Sequence, residues 1–373
     1  MAVALFDPRT PLEPLRHDLQ AAVERVLDRG RFILGPEVEA FERDFASYLG
    51  AGECVGVANG TEAITIALRA LGVREGDEVV VPSFTFYASA EAIPPTGAKP
   101  VFCDVDPVTF CVTADTVRAA LTPRTKAVIA VHLFGNVAPV RELAALGLPV
   151  VEDAAQAAGT TSDDGRPGAL GTIATFSFYP SKNLGAFGDA GAITTADPGL
   201  ADRVRVLRFH GSRDKVSYEE VGYNSRLDEL QAAVLRVQLP YLDTWAEGRR
   251  AAAAHYAAAG LGDLVALPTP TAGARPAWHL YVVRADRPDE LAERLRARAV
   301  EARAYYRRPV HEQPAMRAYA PARPLPGTDE AARRHLALPM SAALTRAQCV
   351  EVTGAVRAAQ RGGREKPATV RSS

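Results

Sequence analysis

Short apolar runs alternate with helix-like segments over the first 200 residues of the chain. Most of the runs are continuously apolar, which is typical of strands buried on both faces of a parallel or mixed sheet. The predicted strands are residues 54–58, 78–81, 100–105, 127–133, 149–152, 173–178 and 191–195. Between them, residues 61–71, 114–121 and 139–146 predict helices. The order of strands and helices therefore predicts a doubly wound α/β domain.

The pattern changes after residue 225. Residues 227–255 predict a long helix that Pro240 kinks or divides, because proline cannot donate a helical hydrogen bond. A linker rich in Pro, Thr and Gly follows, and after it come one strand (278–284), a helix (289–298) and a final helix from Thr345. We therefore predict a large domain over residues 1–245, a smaller α+β domain over 246–360 and a flexible polar tail over 361–373.

Composition narrows the possible functions. The 373 residues are 47% hydrophobic and 23% charged, as in folded proteins, and the net charge of −1 argues against bulk nucleic-acid binding. No apolar run approaches the roughly 18 residues that span a bilayer, and the first ten residues do not resemble a secretory signal. Four widely spaced cysteines without a C-x-x-C motif predict neither a metal site nor disulfides. We therefore expect a cytoplasmic protein that binds no membrane.

The most informative segment is residues 177–191, which reads S-F-Y-P-S-K-N-L-G-A-F-G-D-A-G. Two aromatic residues and a proline precede Lys182 there, and a glycine-rich turn follows it. An apolar wall lowers the pKa of a lysine by desolvation and frees its amine to act as a nucleophile. The alternative is an ordinary solvated lysine.

Asp153 is predicted at the C-terminal end of a buried strand, where α/β sheets place their ligands. A Schiff-base lysine together with an aspartate for a pyridinium nitrogen is the combination that pyridoxal phosphate requires. Alternatively, Asp153 caps a helix. Asn59, Gly60 and Thr61 follow a strand and open a helix, a position that suits a phosphate group or simple helix capping.

Several motifs occur together and in a characteristic order. They are L-G-P-E-V-E (34–39), N-G-T (59–61), V-P-S-F-T-F (81–86), V-E-D-A-A-Q (151–156), S-F-Y-P-S-K-N-L-G (177–185) and G-Y-N-S-R-L-D-E (222–229). From about residue 32 to 356 the chain resembles the DegT/DnrJ/EryC1/StrS family of sugar aminotransferases. The resemblance implies an aspartate-aminotransferase-like (type I) α/β fold, with a mostly parallel mixed sheet in the large domain, and pyridoxal 5'-phosphate as cofactor.

The resemblance also implies a role for each matching residue. Lys182 would form the Schiff base and shuttle the proton, Asp153 would pair with the pyridine nitrogen, and Gln156 would bind the ring hydroxyl. The remaining roles are phosphate binding by Gly60, Thr61 and Ser177, ring stacking by Phe86, and a contact from Asn224 to the phosphate of a neighbouring subunit. The active unit would then be a homodimer. On its sequence alone, Phe86 is also compatible with a core position.

One segment departs from the family pattern. Many relatives read roughly R-V-H-Y-P-x-P-L-H where residues 303–311 here read R-A-Y-Y-R-R-P-V-H. The segment borders the sugar site in the family, so Tyr305, Tyr306, Arg307 and Arg308 are candidate substrate-binding residues. Two adjacent arginines suit a nucleotide diphosphate or a uronate carboxylate. The alternative is a solvated basic turn.

The function implied by the resemblance is transfer of an amino group from glutamate to a nucleotide-linked keto sugar, at C3 or C4, by a ping-pong mechanism. Two alternatives remain open at this point. Sugar dehydratases of the same family typically carry histidine in place of the Schiff-base lysine, and Lys182 argues against them. A non-catalytic regulatory protein would be expected to have lost Lys182, Asp153 or Gln156, and all three are present.

Overall fold

The structure is a computed structural model that describes residues 3–361. Apart from Arg361, the predicted tail (361–373) lies outside the described residues. The strands are β1 (Glu53–Val57), β2 (Glu78–Pro82), β3 (Lys99–Cys103), β4 (Thr125–Val131), β5 (Val150–Asp153), β6 (Thr161–Ser162), β7 (Ile173–Ser177), β8 (Gly191–Thr195), β9 (Ala274–Arg275), β10 (Tyr281–Arg284) and β11 (His335–Leu338). The helices are α1 (Arg9–Leu12), α2 (Arg16–Arg29), α3 (Pro36–Leu49), α4 (Gly60–Ala70), α5 (Ala88–Glu91), α6 (Ala114–Arg118), α7 (Val140–Ala144), α8 (Pro198–Arg208), α9 (Glu229–Gln238), α10 (Leu242–Ala258), α11 (Pro288–Arg296), α12 (Pro326–Arg334) and α13 (Arg346–Arg361).

A seven-stranded sheet forms the centre of the described chain, with the strand order β1-β8-β7-β5-β4-β2-β3. Four neighbouring pairs are parallel: β7 with β5, β5 with β4, β4 with β2, and β2 with β3. Strand β8 is antiparallel to both of its neighbours, β1 and β7. All seven strands predicted from apolar runs lie in this sheet. Their continuous apolar character is explained by burial on both faces, since the side chains of Val79, Val128 and Val151 have no exposed surface.

The topology brings three chemically important segments to one edge of the sheet. Strand β1 runs in the same direction as β7, because β8 is antiparallel to both. Asp153 ends β5, Ser177 ends β7, and Gly60 follows β1 directly at the start of α4. The carboxyl ends of these strands therefore meet at the place where open α/β sheets bind their ligands.

A buried carboxylate joins two of the sequence motifs. Glu229, at the start of α9, accepts hydrogen bonds from the backbone N–H groups of Gly35 (2.9 Å), Glu37 (3.0 Å) and Val38 (2.8 Å). These donors lie at the start of α3, where N–H groups have no partner within the helix. A Cβ atom at Gly35 would lie only 2.7 Å from the Glu229 carboxylate. The L-G-P-E-V-E and G-Y-N-S-R-L-D-E motifs thus meet in a structural contact between α3 and α9.

The second half of the chain contains a separate apolar core. Tyr256, Val283, Leu295, Leu336 and Val356 belong to it, and they come from α10, β10, α11, β11 and α13. Other residues after position 245, including Val310 and Met316, pack in the main core instead. The domain boundary at residue 245 therefore stays a prediction.

Pro240 lies where the sequence predicts a break in the long helix. Helix α9 ends at Gln238, a 3₁₀ turn covers Leu239–Tyr241, and α10 then begins at Leu242. None of the helices in the described part of the chain combines the length and apolar character needed to cross a membrane.

Candidate active site

A cavity of about 790 Å³ opens at the carboxyl edge of the sheet. Most of the site residues expected from the sequence line it: Gly60, Thr61, Phe86, Asp153, Gln156, Ser177, Lys182, Tyr305 and Tyr306. These residues come from five separate stretches of the sequence. The fold brings them together because the strands that precede or contain several of them end at the same edge.

Lys182 lies in the turn that follows β7. Its backbone N–H donates to the carbonyl of Tyr179 at 2.8 Å, which fixes the turn. Burial lowers the pKa of the Lys182 amine to about 8, and the nearby Asp153 carboxylate opposes part of this effect. Desolvation outweighs the attraction to the carboxylate, so the amine loses its proton more easily than an ordinary lysine does. This lowered pKa and the position of Lys182 at the cavity wall argue against the alternative of an ordinary solvated lysine.

Asp153 is held as a hydrogen-bond acceptor. Its Oδ2 accepts from the hydroxyl of Ser89 at 2.7 Å and its Oδ1 from the backbone N–H of Ala155 at 3.2 Å. The side chain is 6% exposed, and the residues after it form turns, so Asp153 does not cap a helix. The carboxylate is therefore oriented by the protein before any ligand arrives.

The neighbouring Glu152 anchors the end of β5 from the other face of the sheet. Its carboxylate accepts from the backbone N–H groups of Gly168, Leu170 and Gly171 at 2.7–2.9 Å and contacts His132 Nε2 at 2.8 Å. Successive strand residues point to opposite faces, so fixing Glu152 also fixes the direction in which Asp153 points.

Gln156 is oriented by two contacts. Its Oε1 accepts from the backbone N–H of Phe134 at 2.7 Å, and its Nε2 donates to the hydroxyl of Tyr306 at 3.2 Å. The Tyr306 ring stacks parallel to that of Phe134, with ring centres 6.0 Å apart. Tyr306 has φ = +66°, which is unfavourable for a residue with a side chain. At the cavity wall, Tyr306 thus combines a strained backbone with a stacking contact to Phe134 and a hydrogen bond from Gln156.

Gly60 and Ser177 approach each other closely at another part of the cavity. A Cβ atom at Gly60 would lie 2.6 Å from Ser177 Cβ, so only glycine fits there without a shift. Asn59 caps α4, since its side chain accepts from the N–H of Glu62 at 2.8 Å. The capping interpretation therefore applies to Asn59, whereas the first turn of the 11-residue helix α4, with Gly60 and Thr61, faces the cavity. A helix start of this kind favours an anion such as phosphate.

Phe86 does not occupy the core position that its sequence also allowed. It is 52% exposed and its ring centre lies 5.9 Å from that of Tyr306. Tyr305 lies on the same side, with its ring centre 6.0 Å from that of Tyr306. These rings form an aromatic wall, which suits the stacking of a planar or sugar group.

Three of the expected residues do not line the cavity. Arg307 donates to the carbonyl of Ala332 at 2.6 Å and pairs with Asp289 at 2.6 Å, and Arg308 is exposed. Asn224 is also exposed, in a bridge with Phe209. Within one chain, these side chains are therefore separate from the group around Lys182.

Two further cavity residues have no motif in the sequence to mark them. Ser89 contacts Asp153, from which it is separated by 64 positions in the sequence. His279 is 5% exposed, and its Nδ1 has no hydrogen-bond partner among residues 3–361. Burial, followed by the positive charges of Lys182 and Arg249, lowers the pKa of His279 well below its usual value. A histidine inside the apolar run A-W-H-L-Y was the available signal.

The lowered pKa of Lys182 predicts how its reactivity depends on pH. Only the unprotonated amine attacks an aldehyde, so capture of pyridoxal phosphate by the apoprotein should accelerate about tenfold per pH unit at low pH. The rate should level off above pH about 8, the pKa of Lys182. Stopped-flow absorbance from pH about 6 to about 10.5 would measure this, and a rate that rises throughout would indicate an ordinary lysine pKa of about 10.4.

Comparison with known proteins gives a consistent result. The model of the DegT/DnrJ/EryC1/StrS aminotransferase family matches residues 14–357. The dTDP-3-amino-3,4,6-trideoxy-alpha-D-glucose transaminase of Streptomyces venezuelae is 48% identical over 95% of both chains. A protein of Geobacillus stearothermophilus named pleiotropic regulatory protein is 45% identical, over 91% of this chain and 94% of its own.

Solved structures agree with the sequence relatives. The crystal structure of S. venezuelae DesV in complex with a ketimine intermediate superimposes with a TM-score of 0.93 at 45% identity. The match covers 98% of this chain and all of that one. The predicted aspartate-aminotransferase-like fold, with its mostly parallel mixed sheet, is thereby confirmed. The chain belongs to the DegT/DnrJ/EryC1/StrS aminotransferase family.

Proposed function

We propose that the protein transfers an amino group from glutamate to C3 of a nucleotide-linked 3-keto sugar, with pyridoxal phosphate as cofactor. The observation that carries the proposal is a desolvated lysine, Lys182, in one cavity with Asp153 and Gln156. The position of the amino group is supported by the S. venezuelae relative, whose name specifies a 3-amino sugar. Amination at C4 is the alternative outcome of the assay below.

The cavity residues fit pyridoxal phosphate. The close approach of Gly60 to Ser177 and the start of α4 provide a cradle for the phosphate, and Asp153 offers a fixed carboxylate for the ring nitrogen. Gln156 would bind the ring hydroxyl, and Phe86 would cover one face of the ring. When bound, pyridoxal phosphate supplies a conjugated ring that delocalises the electrons left on the substrate carbon when a proton departs.

Lys182 moves the proton in both halves of the proposed exchange. Its lowered pKa leaves a larger fraction of Nζ unprotonated at neutral pH than in an ordinary lysine, so Nζ can accept a proton from the α-carbon of glutamate. In the other half, the same amine delivers a proton to the carbon of the sugar. In the proposed ping-pong order the product keto acid leaves before the sugar binds, and one lysine is then sufficient because it serves the two substrates in turn.

Asp153 holds the proton on the ring nitrogen in this proposal. A carboxylate beside a heteroaromatic nitrogen favours its protonated form. The hydrogen bonds from Ser89 and Ala155 keep the carboxylate in one orientation while the charge on the ring changes. For the sugar substrate, Tyr305 and Tyr306 are the proposed contacts, since both line the cavity. Contacts from Arg307 and Arg308 stay predictions.

The two alternative functions make different demands on the site. A dehydratase of this family would be expected to lack the Schiff-base lysine, and Lys182 is present in the cavity. The name of the G. stearothermophilus relative raises the regulatory alternative. Retention of Lys182, Asp153 and Gln156 in one cavity supports an enzyme, because a purely regulatory scaffold does not need a desolvated amine.

A direct assay tests the proposal. Purified protein loaded with pyridoxal phosphate is incubated with glutamate and a panel of 3-keto and 4-keto nucleotide sugars, and 2-oxoglutarate and the amino sugar are measured. We expect an amino sugar from a 3-keto substrate, with parallel double-reciprocal plots of initial rates. A product without nitrogen would indicate dehydration, and no turnover with any sugar would favour the regulatory alternative.

We also propose a homodimer as the active unit. Asn224 is exposed and separate from the cavity of its own chain, and Phe86, Tyr179 and Phe187 are each more than half exposed. Exposed aromatic side chains beside a cavity are typical of surfaces that bind another protein. An obligate interface of about 2,000 Å² or more would bury them and bring Asn224 to the phosphate of the other chain.

Mixed dimers test this arrangement. A Lys182→Ala chain mixed with an Asn224→Ala chain should form dimers in which one site has both residues intact, because the two residues serve a given site from different subunits. The activity of the mixture should therefore exceed that of either parent. If subunit exchange is confirmed by mass spectrometry and no activity is gained, Asn224 serves its own chain or does not reach the cofactor.

We propose a cytoplasmic location on chemical grounds. Cys54, Cys103, Cys111 and Cys349 are free and buried. Thiols stay reduced in the cytoplasm, and a fold without disulfides needs no oxidising compartment.

A further inference from the structure

A second cavity, of about 270 Å³, lies next to the one already described. Lys182 lines both, so the two cavities adjoin at this residue. The second cavity is also lined by Arg249 from α10 and by Asn183. None of the cofactor contacts proposed above uses either residue.

Arg249 is a partly buried cation without an acidic partner in the described part of the chain. One of its guanidinium nitrogens, Nη1, donates to the backbone carbonyl of Trp278 at 3.1 Å, and no ion pair involves Arg249 among residues 3–361. Burial lowers the pKa of the guanidinium to about 10. Burying a charge is costly unless it is paired, so a position of this kind favours an anionic ligand.

His279 lies immediately after the residue that Arg249 contacts. It lines the larger cavity with Lys182, and its buried Nδ1 has no hydrogen-bond partner in the described chain. A buried nitrogen without a hydrogen-bond partner destabilises the protein, and a hydrogen bond to a ligand would recover that free energy. Arg249 therefore offers a positive charge without an acidic partner and His279 offers an unpartnered nitrogen, and each lines a cavity that Lys182 also lines.

Asn183 adds a complementary acceptor. Its Nδ2 donates to the carbonyls of Ala158 and Ala277, which fixes the orientation of the amide, and its Oδ1 is buried without a partner in the described chain. The lining thus offers a cation and a hydrogen-bond acceptor on residues beside Lys182. An amino acid carries the matching pair, a carboxylate and an amino group.

One acidic residue also lines the second cavity. Asp7 Oδ1 accepts from the backbone N–H of Thr10 at 3.0 Å, and no ion pair joins it to Arg249. Its carboxylate therefore leaves the guanidinium available for a ligand.

We propose that Arg249, together with His279, binds a carboxylate group of the amino-acid donor. The inference rests on the proposed transaminase function and names the part of the site that recognises the donor. Arg249 neutralises the carboxylate charge, and His279 supplies a hydrogen bond. The carboxylate so held places the amino group of the donor beside Lys182 and Asn183.

The contact explains how one cavity can accept two different substrates. A keto sugar linked to a nucleotide has no carboxylate at its reacting end, so it gains nothing from Arg249. Selectivity for a carboxylate donor over a simple amine then depends on a group that the sugar does not use. Changes at Arg249 should consequently separate the two half-reactions.

The test compares Arg249→Gln with Arg250→Gln. Arg250 is the matched control, because it is the adjacent arginine and pairs with Glu247 at 2.7 Å, away from the two cavities. We expect Arg249→Gln to raise the KM for glutamate about 10- to 100-fold, the range for losing a hydrogen bond to a charged group. The KM for the keto sugar should stay within about twofold, and Arg250→Gln should match the wild type in both.

Calorimetry with glutarate provides a readout that does not depend on turnover. Glutarate carries the two carboxylates of glutamate without its amino group, so it cannot react. Enzyme loaded with pyridoxal phosphate should bind glutarate about tenfold or more weakly in Arg249→Gln, and His279→Gln should weaken it by a smaller factor. Arg249→Lys keeps the positive charge, so it should bind glutarate more tightly than Arg249→Gln does. It also provides a second test of the site if Arg249→Gln does not fold.

The outcomes separate this inference from the proposed function. An unchanged KM for glutamate and unchanged glutarate binding in Arg249→Gln would overturn the inference while the transaminase function stands. A rise in the KM for the keto sugar alone would also overturn it and would assign Arg249 to the nucleotide diphosphate. If the wild-type protein transaminates no keto sugar but loses glutarate binding in Arg249→Gln, the carboxylate site stands and the proposed acceptor substrate is wrong.

Discussion

Replacing Lys182 by alanine should abolish transamination and leave the fold intact. We expect a loss of more than about 10³-fold in kcat, or about 4 kcal/mol in the activation free energy, because the variant lacks both the covalent attachment point and the proton carrier. The amine lies at the cavity wall and not in the apolar core, so alanine removes few packing contacts. The measurement is the rate of 2-oxoglutarate formation from glutamate with a keto sugar present.

The control for this prediction is Lys126→Ala. Lys126 is exposed on β4 and lies outside both cavities, so its loss should leave the rate and the melting temperature unchanged. Far-UV circular dichroism would establish that Lys182→Ala is folded. Activity above about 1% of the wild type in a folded Lys182→Ala protein would reject Lys182 as the Schiff-base residue.

The central sheet could be predicted from the sequence because its strands are buried on both faces. Such strands appear as continuous apolar runs, and all seven were located to within a few residues. The prediction did not include β11, whose four residues, H-L-A-L, are too few to distinguish a strand from a helix segment. It also missed α2 and α3, although both bury a periodic apolar face.

The candidate site was predictable where its residues lie in local motifs. Lys182, Ser177 and Asp153 follow strands, and the sheet topology brings strand ends together without further information. Ser89 and His279 could not be placed in this way. Each lies in the cavity with residues far away in the sequence, as the contact of Ser89 with Asp153 illustrates, and no spacing rule connects them.

The positions of the Arg307 and Tyr306 side chains could not be predicted from the local sequence. Arg307 follows two tyrosines of the cavity wall, yet its guanidinium turns to the C-terminal end of α12 and to Asp289. The last carbonyls of a helix lack partners within the helix and attract a cation. Tyr306, by contrast, lines the cavity from a turn in which its backbone is left-handed.

Replacing Asp153 by asparagine should preserve cofactor binding and slow the reaction strongly. Asparagine has nearly the same shape and can still accept one hydrogen bond, so the cradle of Gly60 and Ser177 should hold the phosphate as before. The amide carries no negative charge to keep the ring nitrogen protonated, and this loss should reduce the rate of each half-reaction about 10²- to 10⁴-fold. The measurement is the change in visible absorbance after glutamate is mixed with the loaded enzyme in a single turnover.

Two further variants show whether the charge or only the orientation of this carboxylate matters. Ser89→Ala removes the hydroxyl that donates to Asp153 Oδ2 and keeps the charge, so its effect should be about tenfold or less. Asp164→Asn makes the same chemical change at an exposed residue that pairs with Arg141, and it should have no effect on the rate. If Asp153→Asn turned over at nearly the wild-type rate, Asp153 would not be the partner of the ring nitrogen. If Ser89→Ala were as slow as Asp153→Asn, orientation rather than charge would be the main contribution of this residue.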